Sequence, residues 1–162
     1  PSLPRMGADS QGCRVGCAGR ISSFAETEDG RLLITLTGVT RFRIAEEIAR
    51  RRGYRRARAD YAPYRADLVD GPEPEIDRAA LLDALRPYFR VRGIEANWEA
   101  VENTGDEMLV TTLSMVCPFD VREKQALLEA PDVTERARML EALMRMEAAG
   151  NAHGMAPDAL PS

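Results

Sequence analysis

The stretch between Val15 and Ile48 constrains the fold most, because β-branched and aromatic residues alternate with polar ones there and the breaks fall at glycines. An Asp29-Gly30 pair separates its first two runs, and such a pair is a strong hairpin signal since glycine accepts the positive φ of tight turns. Gly38 interrupts the pattern again, which indicates a bulge or a bend of the kind that closes small barrels. The pattern predicts three consecutive strands, over 15–24, 32–37 and 39–48.

The chain after Ile48 predicts one more strand and then a change of lobe. An arginine-rich turn precedes the run 54–64, whose alternation is typical of a strand with one face in water. Pro72 and Pro74 follow, and two prolines so close together can neither continue a strand ladder nor lie inside a helix. We therefore predict a β-rich lobe over residues 1–72, a helical lobe over 73–150 and a disordered tail over 151–162.

Helical periodicity takes over at Asp77, where apolar residues share one stripe up to Val91 and Gly93 stops the pattern. A short turn carrying Trp98 follows. Three later helix starts have the spacing of capping boxes, in which a side-chain oxygen and a glutamate three residues on satisfy free amides. These pairs are Thr104 with Glu107, Asp120 with Glu123, and Asp132 with Glu135. The last helix is predicted to end at Gly150, and the chain as a whole is predicted to be α+β, with a small helical bundle after the strands.

Composition and charge exclude several classes of protein. The chain of 162 residues has a net charge of -4 and a pI near 5.2, so nonspecific binding of nucleic acid over its whole surface is not expected. No apolar run approaches the ~20 residues that span a bilayer, and residues 1–11 read as a loop without the apolar core of a signal peptide. We expect a cytoplasmic location and no membrane association. Three cysteines, an odd number, do not indicate a disulfide framework.

The residues available for catalysis are few. Lys124 is the only lysine, and it does not follow the Gly-Lys-Ser/Thr pattern of a phosphate-binding loop. Ser114, the serine nearest to it, lies beyond the break at Cys117 and Pro118, so a Ser-Lys dyad is not expected. His153 is the only histidine, and a single histidine cannot build a triad or a zinc site without converging partners. The sequence therefore predicts no enzyme, no cofactor and no metal.

Two groups of side chains are candidates for binding a partner, and each has two interpretations. A methionine-rich stripe is either part of the core or an adaptable apolar surface, because thioethers fit irregular partners. Its residues are Met139, Leu140, Leu143 and Met144. A basic segment is either a charged strand edge that discourages aggregation or a nucleic-acid-binding patch beside tyrosines that could stack on bases. Its residues are Arg50, Arg51, Arg52, Arg55 and Arg56.

Two blocks of the chain resemble a known family. The runs GCAGRI, DGR and LITLTGVTRFRI resemble the amino-terminal substrate-binding domain of Lon proteases, above all the small stand-alone bacterial proteins that consist of this domain alone. The block TTLSMVCPFDVREKQALLEAPDVTERARMLEALM, over 111–144, resembles the helical segment of the same domain. The resemblance covers most of the chain and implies a PUA-like antiparallel β-barrel followed by helices. It also implies a non-catalytic role, the recognition of unfolded or degradation-prone polypeptides, either for delivery to a protease or by the domain acting alone.

The resemblance has one departure. Complete family members carry further strands and a helix before the GCAGRI run, so the resemblance implies a barrel that lacks its first strands. Such a barrel has an unpaired backbone edge and an exposed apolar face. We expect another segment or another chain, self-association included, to cover that edge. Two other functions remain open: an RNA-binding PUA-like module that uses the arginines of 50–58, and an ATP-dependent peptidase, which rests on the family name alone.

Overall fold

The computed structural model describes residues 13–69 and 71–154, and the chain divides into two compact units after Gly71. The first unit is an antiparallel sheet of three strands in the order β1-β2-β3. The strands are β1 (Val15–Glu26), β2 (Leu32–Arg51) and β3 (Tyr54–Asp60). Over the described residues the sheet is open, so the barrel is incomplete.

The turn between β1 and β2 forms where the sequence predicts it. Gly30 has a φ of 77°, and its backbone N donates to the carbonyl O of Thr27 at 2.9 Å. Glycine suits this position because side chains rarely accept a positive φ. The antiparallel register then runs from the pair Glu26 and Leu32 to the pair Val15 and Arg43.

The two strands predicted over 32–37 and 39–48 are one strand in the structure, and this is a correction. β2 continues through Gly38 without a break. The predicted bulge is present beside that glycine: Ala18 pairs with Thr40 whereas Gly19 pairs with Gly38, so Val39 is an extra residue. A bulge turns the strand while its ladder continues on both sides, which explains why the glycine does not end it.

The strand predicted over 54–64 is too long. β3 ends at Asp60, and a 3₁₀ segment follows at Ala62–Leu68. The Asp60 Oδ1 accepts a hydrogen bond from the backbone N of Ala62 at 3.0 Å, which begins the turn. Pro63 lies at the start of this segment, and proline cannot donate to a strand ladder.

The second unit consists of five helices around one apolar core. The helices are α1 (Arg78–Arg92), α2 (Trp98–Asn103), α3 (Asp106–Val116), α4 (Val121–Glu129) and α5 (Val133–Gly154). Its core includes the buried side chains of Leu81, Leu85, Tyr88, Val110, Leu113, Cys117, Leu127, Leu140 and Met144. The predicted stripe on the first helix therefore faces the core. No helix within the described ranges is long and apolar enough to cross a membrane.

The helix ends test the predicted caps. Asp77 caps α1, and Gly93 ends it with a φ of 63°. The capping box of Asp120 and Glu123 is present in full, and the Asp132 Oδ1 accepts from the backbone N of Glu135 at 2.8 Å.

Two predicted helix ends are wrong. Gly105, not Thr104, is the N-cap of α3, because the hydroxyl of Thr104 donates instead to the carbonyl O of Ala100 at 2.7 Å. The last helix does not stop at Gly150 and runs to Gly154. The loop predicted over 1–11 and the part of the predicted tail after residue 154 lie outside the described residues.

Candidate functional site

One face of the sheet is apolar and exposed. Register places Phe24 opposite Ile34 and Ile21 opposite Leu36, and residues opposite each other point to the same face. Leu32 lies two residues before Ile34 and therefore shares this face. These five side chains, the apolar sheet face, are between 47% and 65% exposed. In an ordinary antiparallel sheet such a face packs on a core, so this exposed face is the candidate interaction surface of the unit.

The other face of the same two strands is mostly polar. Ser23 pairs with Thr35 there, and the hydroxyl of Thr37 donates to the Ser22 Oγ at 2.9 Å. Leu33 is the exception on this face. The β1–β2 hairpin therefore has one apolar side and one polar side, as expected of a hairpin built to bury one side.

An exposed strand edge borders the apolar sheet face. β1 is an outer strand of the sheet and has β2 as its only strand partner among the residues described. An outer strand presents backbone N–H and C=O groups that can pair with another extended chain. Face and edge meet along β1, where Ile21 and Phe24 lie.

An ion pair between a buried arginine and a partly exposed aspartate lies near one end of the apolar sheet face. Arg41 pairs with Cys17, which lies four residues before Ile21 on the same strand face. The Arg41 Nη2 and Nε donate to the two carboxylate oxygens of Asp67 at 2.7 and 2.9 Å. The guanidinium also lies 4.4 Å from the ring centroid of Tyr64. This arrangement ties the 3₁₀ segment to the sheet.

The sequence analysis did not identify the role of Arg41 and Asp67. They are 26 residues apart, and no short motif links them. In the sequence, Arg41 alternates with Phe42, and this pattern predicts a polar residue on the solvent-exposed face of the strand. The only available signal is the presence of an acid soon after the last strand, which is too common to be specific.

The predicted basic residues lie together at the β2–β3 turn. Arg51 pairs with Tyr54 across it, and Arg52 and Gly53 have φ values of 51° and 87°. All five predicted arginines are exposed. Arg55 forms an ion pair with Glu47.

The methionine-rich stripe of α5, for which the sequence leaves open a core role and a partner surface, lies partly in the core. Leu140 and Met144 are fully buried in the helical core, and Met139 and Leu143 pack against that core. The interpretation as core therefore holds for Leu140 and Met144. Met139 and Leu143 are only partly buried, so a role for these two side chains in binding a partner stays a prediction.

The sequence analysis missed a different methionine surface. Met108 and Met115 are 64% and 63% exposed on α3, and a spacing of seven residues places them two turns apart on one helix face. Val116 at the end of α3 and Val121 at the start of α4 are exposed as well. The apolar residues of α3 lie on more than one side of the helix, so its periodicity does not show which of them face water.

The groups considered for catalysis bond to the backbone. The Ser114 hydroxyl donates to the carbonyl O of Val110 at 2.7 Å, and the Lys124 Nζ donates to the carbonyl O of Met115 at 3.0 Å. Within the described ranges no group of three or more His, Cys, Asp or Glu side chains could hold a metal ion.

Comparisons with known proteins point to one family. The family model of the ATP-dependent protease La (LON) substrate-binding domain matches residues 5–146. The fold is similar to that of a Lon N-terminal domain protein from Xanthomonas campestris, at 19% identity and a TM-score of 0.56, over 80% of this chain and 67% of that one. The N-terminal domain of a Mycobacterium avium complex Lon protease matches at 18% identity and a TM-score of 0.49, over 81% and 69%. No curated protein matches the chain.

Proposed function

The chain belongs to the family of the ATP-dependent protease La (LON) substrate-binding domain, and on this premise we propose that it binds unfolded or degradation-prone polypeptides without cutting them. Membership supports a role in substrate recognition. The finer proposal that unfolded segments are the substrate rests on the chemistry of the surface, whereas delivery of these segments to a protease is proposed from the family alone.

The observation that carries the proposal is the exposed apolar sheet face. Fully burying one large aliphatic or aromatic side chain contributes about 1.5–3 kcal/mol. Covering five half-exposed side chains therefore supplies several kcal/mol, from which the cost of ordering the partner is subtracted. Unfolded polypeptides expose apolar side chains that folded proteins bury, so they are the partners that this face favours.

The edge of β1 determines the form in which such a segment binds. An extended chain can add to this edge by backbone hydrogen bonds, while its alternate side chains pack on Ile21 and Phe24. Backbone pairing does not depend on sequence, and the apolar contacts are undirected. Binding of this kind is weak for any one segment and accepts many partners.

Two neighbouring residues of β2 provide a matched test. Ile34 lies on the apolar sheet face and Leu33 on the opposite face, and both are exposed. A reduced and alkylated unfolded protein carrying a fluorophore is titrated with each variant, and anisotropy is recorded. We expect Ile34→Thr to weaken binding several-fold, whereas Leu33→Thr stays within about twofold of the unchanged chain, since only Ile34 contacts the segment.

Three outcomes would contradict the proposal. One is no binding at high micromolar concentration, and another is an equal loss in both variants. The third is a stable dimer, seen by sedimentation, that Ile34→Thr dissociates while polypeptide binding persists; this would assign the face to self-association. A casein degradation assay with ATP is expected to show no cleavage, because the proposed role is binding alone.

A further inference from the structure

The end of the β2–β3 hairpin extends past β1. β1 pairs with β2 only up to Arg43, and beyond Ile44 the only strand that pairs with β2 among the described residues is β3. Residues 46–58 therefore form a two-stranded ribbon, and most of its side chains are exposed. We call this segment the basic ribbon. Its arginines are Arg50, Arg51, Arg52, Arg55, Arg56 and Arg58.

The charge of the basic ribbon is opposite to that of the whole chain. Six arginines and two glutamates lie between residues 46 and 58, a net charge of +4, whereas the chain carries -4. A local field of one sign on an exposed projection attracts a partner of opposite sign and raises its rate of association. The acidic total charge does not oppose this, since charges farther away than about 10 Å are largely screened by salt.

Most of these arginines have no carboxylate partner. Each of the two glutamates already forms a salt bridge. Glu47 pairs with Arg55, and Glu46 pairs with Arg58 at 3.0 Å. The hydrogen bond from Arg55 lowers the pKa of Glu47, which keeps this carboxylate charged and paired.

The other four arginines of the basic ribbon, Arg50, Arg51, Arg52 and Arg56, form no salt bridge within the part of the chain that is described. Like charges this close repel one another when no anion lies between them. Beside Arg55, the charge of Arg50 also lowers the pKa of Glu47, and the Arg56 Nη1 donates to the carbonyl O of Ala49 at 3.5 Å. Four guanidiniums without a salt bridge around one turn thus leave room for several anionic groups of a partner.

We propose that the basic ribbon binds single-stranded nucleic acid through its phosphates. Guanidinium groups form paired hydrogen bonds with phosphate oxygens, and the ribbon carries arginine on both strands and in the turn. Tyr54, opposite Arg51, is 55% exposed and offers a ring on which a base can stack. An acidic polypeptide would use the arginines but would leave this ring without a role, so the observations favour nucleic acid.

The test uses the whole chain and a fluorescein-labelled single-stranded RNA of twelve uridines. Binding is followed by anisotropy from about 50 to 200 mM salt. If four phosphates are neutralised, the logarithm of the association constant falls with the logarithm of salt with a slope of about -3. A DNA oligomer of the same length is expected to bind similarly, because the backbone is what the ribbon contacts.

Charge-reversal variants distinguish the ribbon from general electrostatics. Arg51→Glu with Arg52→Glu is expected to weaken RNA binding at least about tenfold and to reduce the salt slope. Arg90→Glu with Arg122→Glu makes the same change of charge at exposed positions of the helical unit and is expected to stay within about twofold. Tyr54→Ala is expected to weaken binding about fivefold or more through lost stacking. Circular dichroism checks that each variant is folded.

Several results would overturn the proposal. These are equal losses in the two double variants, binding that does not change with salt, and tighter binding of polyglutamate than of RNA at the same salt. The last would assign the ribbon to acidic polypeptides. The ribbon variants are expected to bind an unfolded polypeptide as before, so this test and that of the apolar sheet face fail or succeed independently.

Discussion

At the scale of single residues, the Arg41–Asp67 pair shows how burial changes the value of a charge. The Arg41 side chain is 8% exposed, and the Asp67 carboxylate receives bonds from its guanidinium and from its backbone N. The Glu46–Arg58 pair has a similar distance but is open to water. Removing one partner of a buried pair leaves a charge that water cannot reach, whereas an exposed pair contributes little.

We therefore predict that Asp67→Asn destabilises the sheet unit by up to about 3 kcal/mol, the lower end of the range for buried pairs, because the buried Arg41 loses its counter-charge while Asp67 itself is partly exposed. Glu46→Gln is the matched control and is expected to cost less than about 1 kcal/mol. Hydrogen exchange of the β1 and β2 amides measures the sheet unit without contribution from the helices. Equal protection in the two variants would show that the pair does not hold the 3₁₀ segment on the sheet.

At the scale of elements, the burial of methionines on α5 depends on which side of the helix its neighbours cover. Met144 is fully buried, whereas Met146, two residues on, is 70% exposed. The two side chains have the same chemistry and lie on the same helix. Only the packing of α5 against its neighbouring helices makes one a core residue and the other a surface residue.

Truncating each methionine measures this difference. Met144→Ala is expected to destabilise the helical unit by about 2–5 kcal/mol through lost burial and a cavity. Met146→Ala is expected to change stability by less than about 0.5 kcal/mol, because its side chain is in water in either state. Urea unfolding followed by the fluorescence of Trp98, the only tryptophan, gives both values. A small effect of Met144→Ala would show that the core can collapse around the missing side chain.

At the scale of the whole molecule, the three cysteine thiols differ in their exposure to solvent. Cys13 and Cys17 are exposed, and Cys117 is buried in the helical core. Burial raises the pKa of Cys117 from its usual 9.0 to about 11, because the thiolate would lie away from water. The reactive species is the thiolate, so this cysteine is protected both by access and by protonation.

We predict that iodoacetamide at pH 8 modifies two thiols of the native chain and the third only in denaturant, as counted by mass spectrometry. The fold favours the protonated thiol of Cys117, so its contribution to stability is complete below its usual pKa near 9 and is lost as the pH rises towards about 11. Cys117→Ala should remove this part of the alkaline loss of stability. Rapid labelling of all three thiols in the native chain would contradict the burial of this cysteine.

The amino-acid sequence alone determined the features that depend on near neighbours. The Asp29-Gly30 turn, the cap of Asp120 and the helix stop at Gly93 each need only a few adjacent residues, so their signals are complete in the chain. Whether a segment is a strand or a helix also follows from the period of its apolar residues, which the sequence shows directly. The resemblance of its motifs pointed to the family in the same way.

The tertiary structure decided the features that depend on which residues pack against an element or pair with it. Gly38 stays within a strand because β1 continues to pair on both sides of it, and Thr104 loses its cap because its hydroxyl bonds to a preceding turn. Arg41 and Met144 are buried because other elements cover them, not because of their own sequence context. The apolar sheet face and the basic ribbon are likewise products of register, which joins residues that are far apart in the chain.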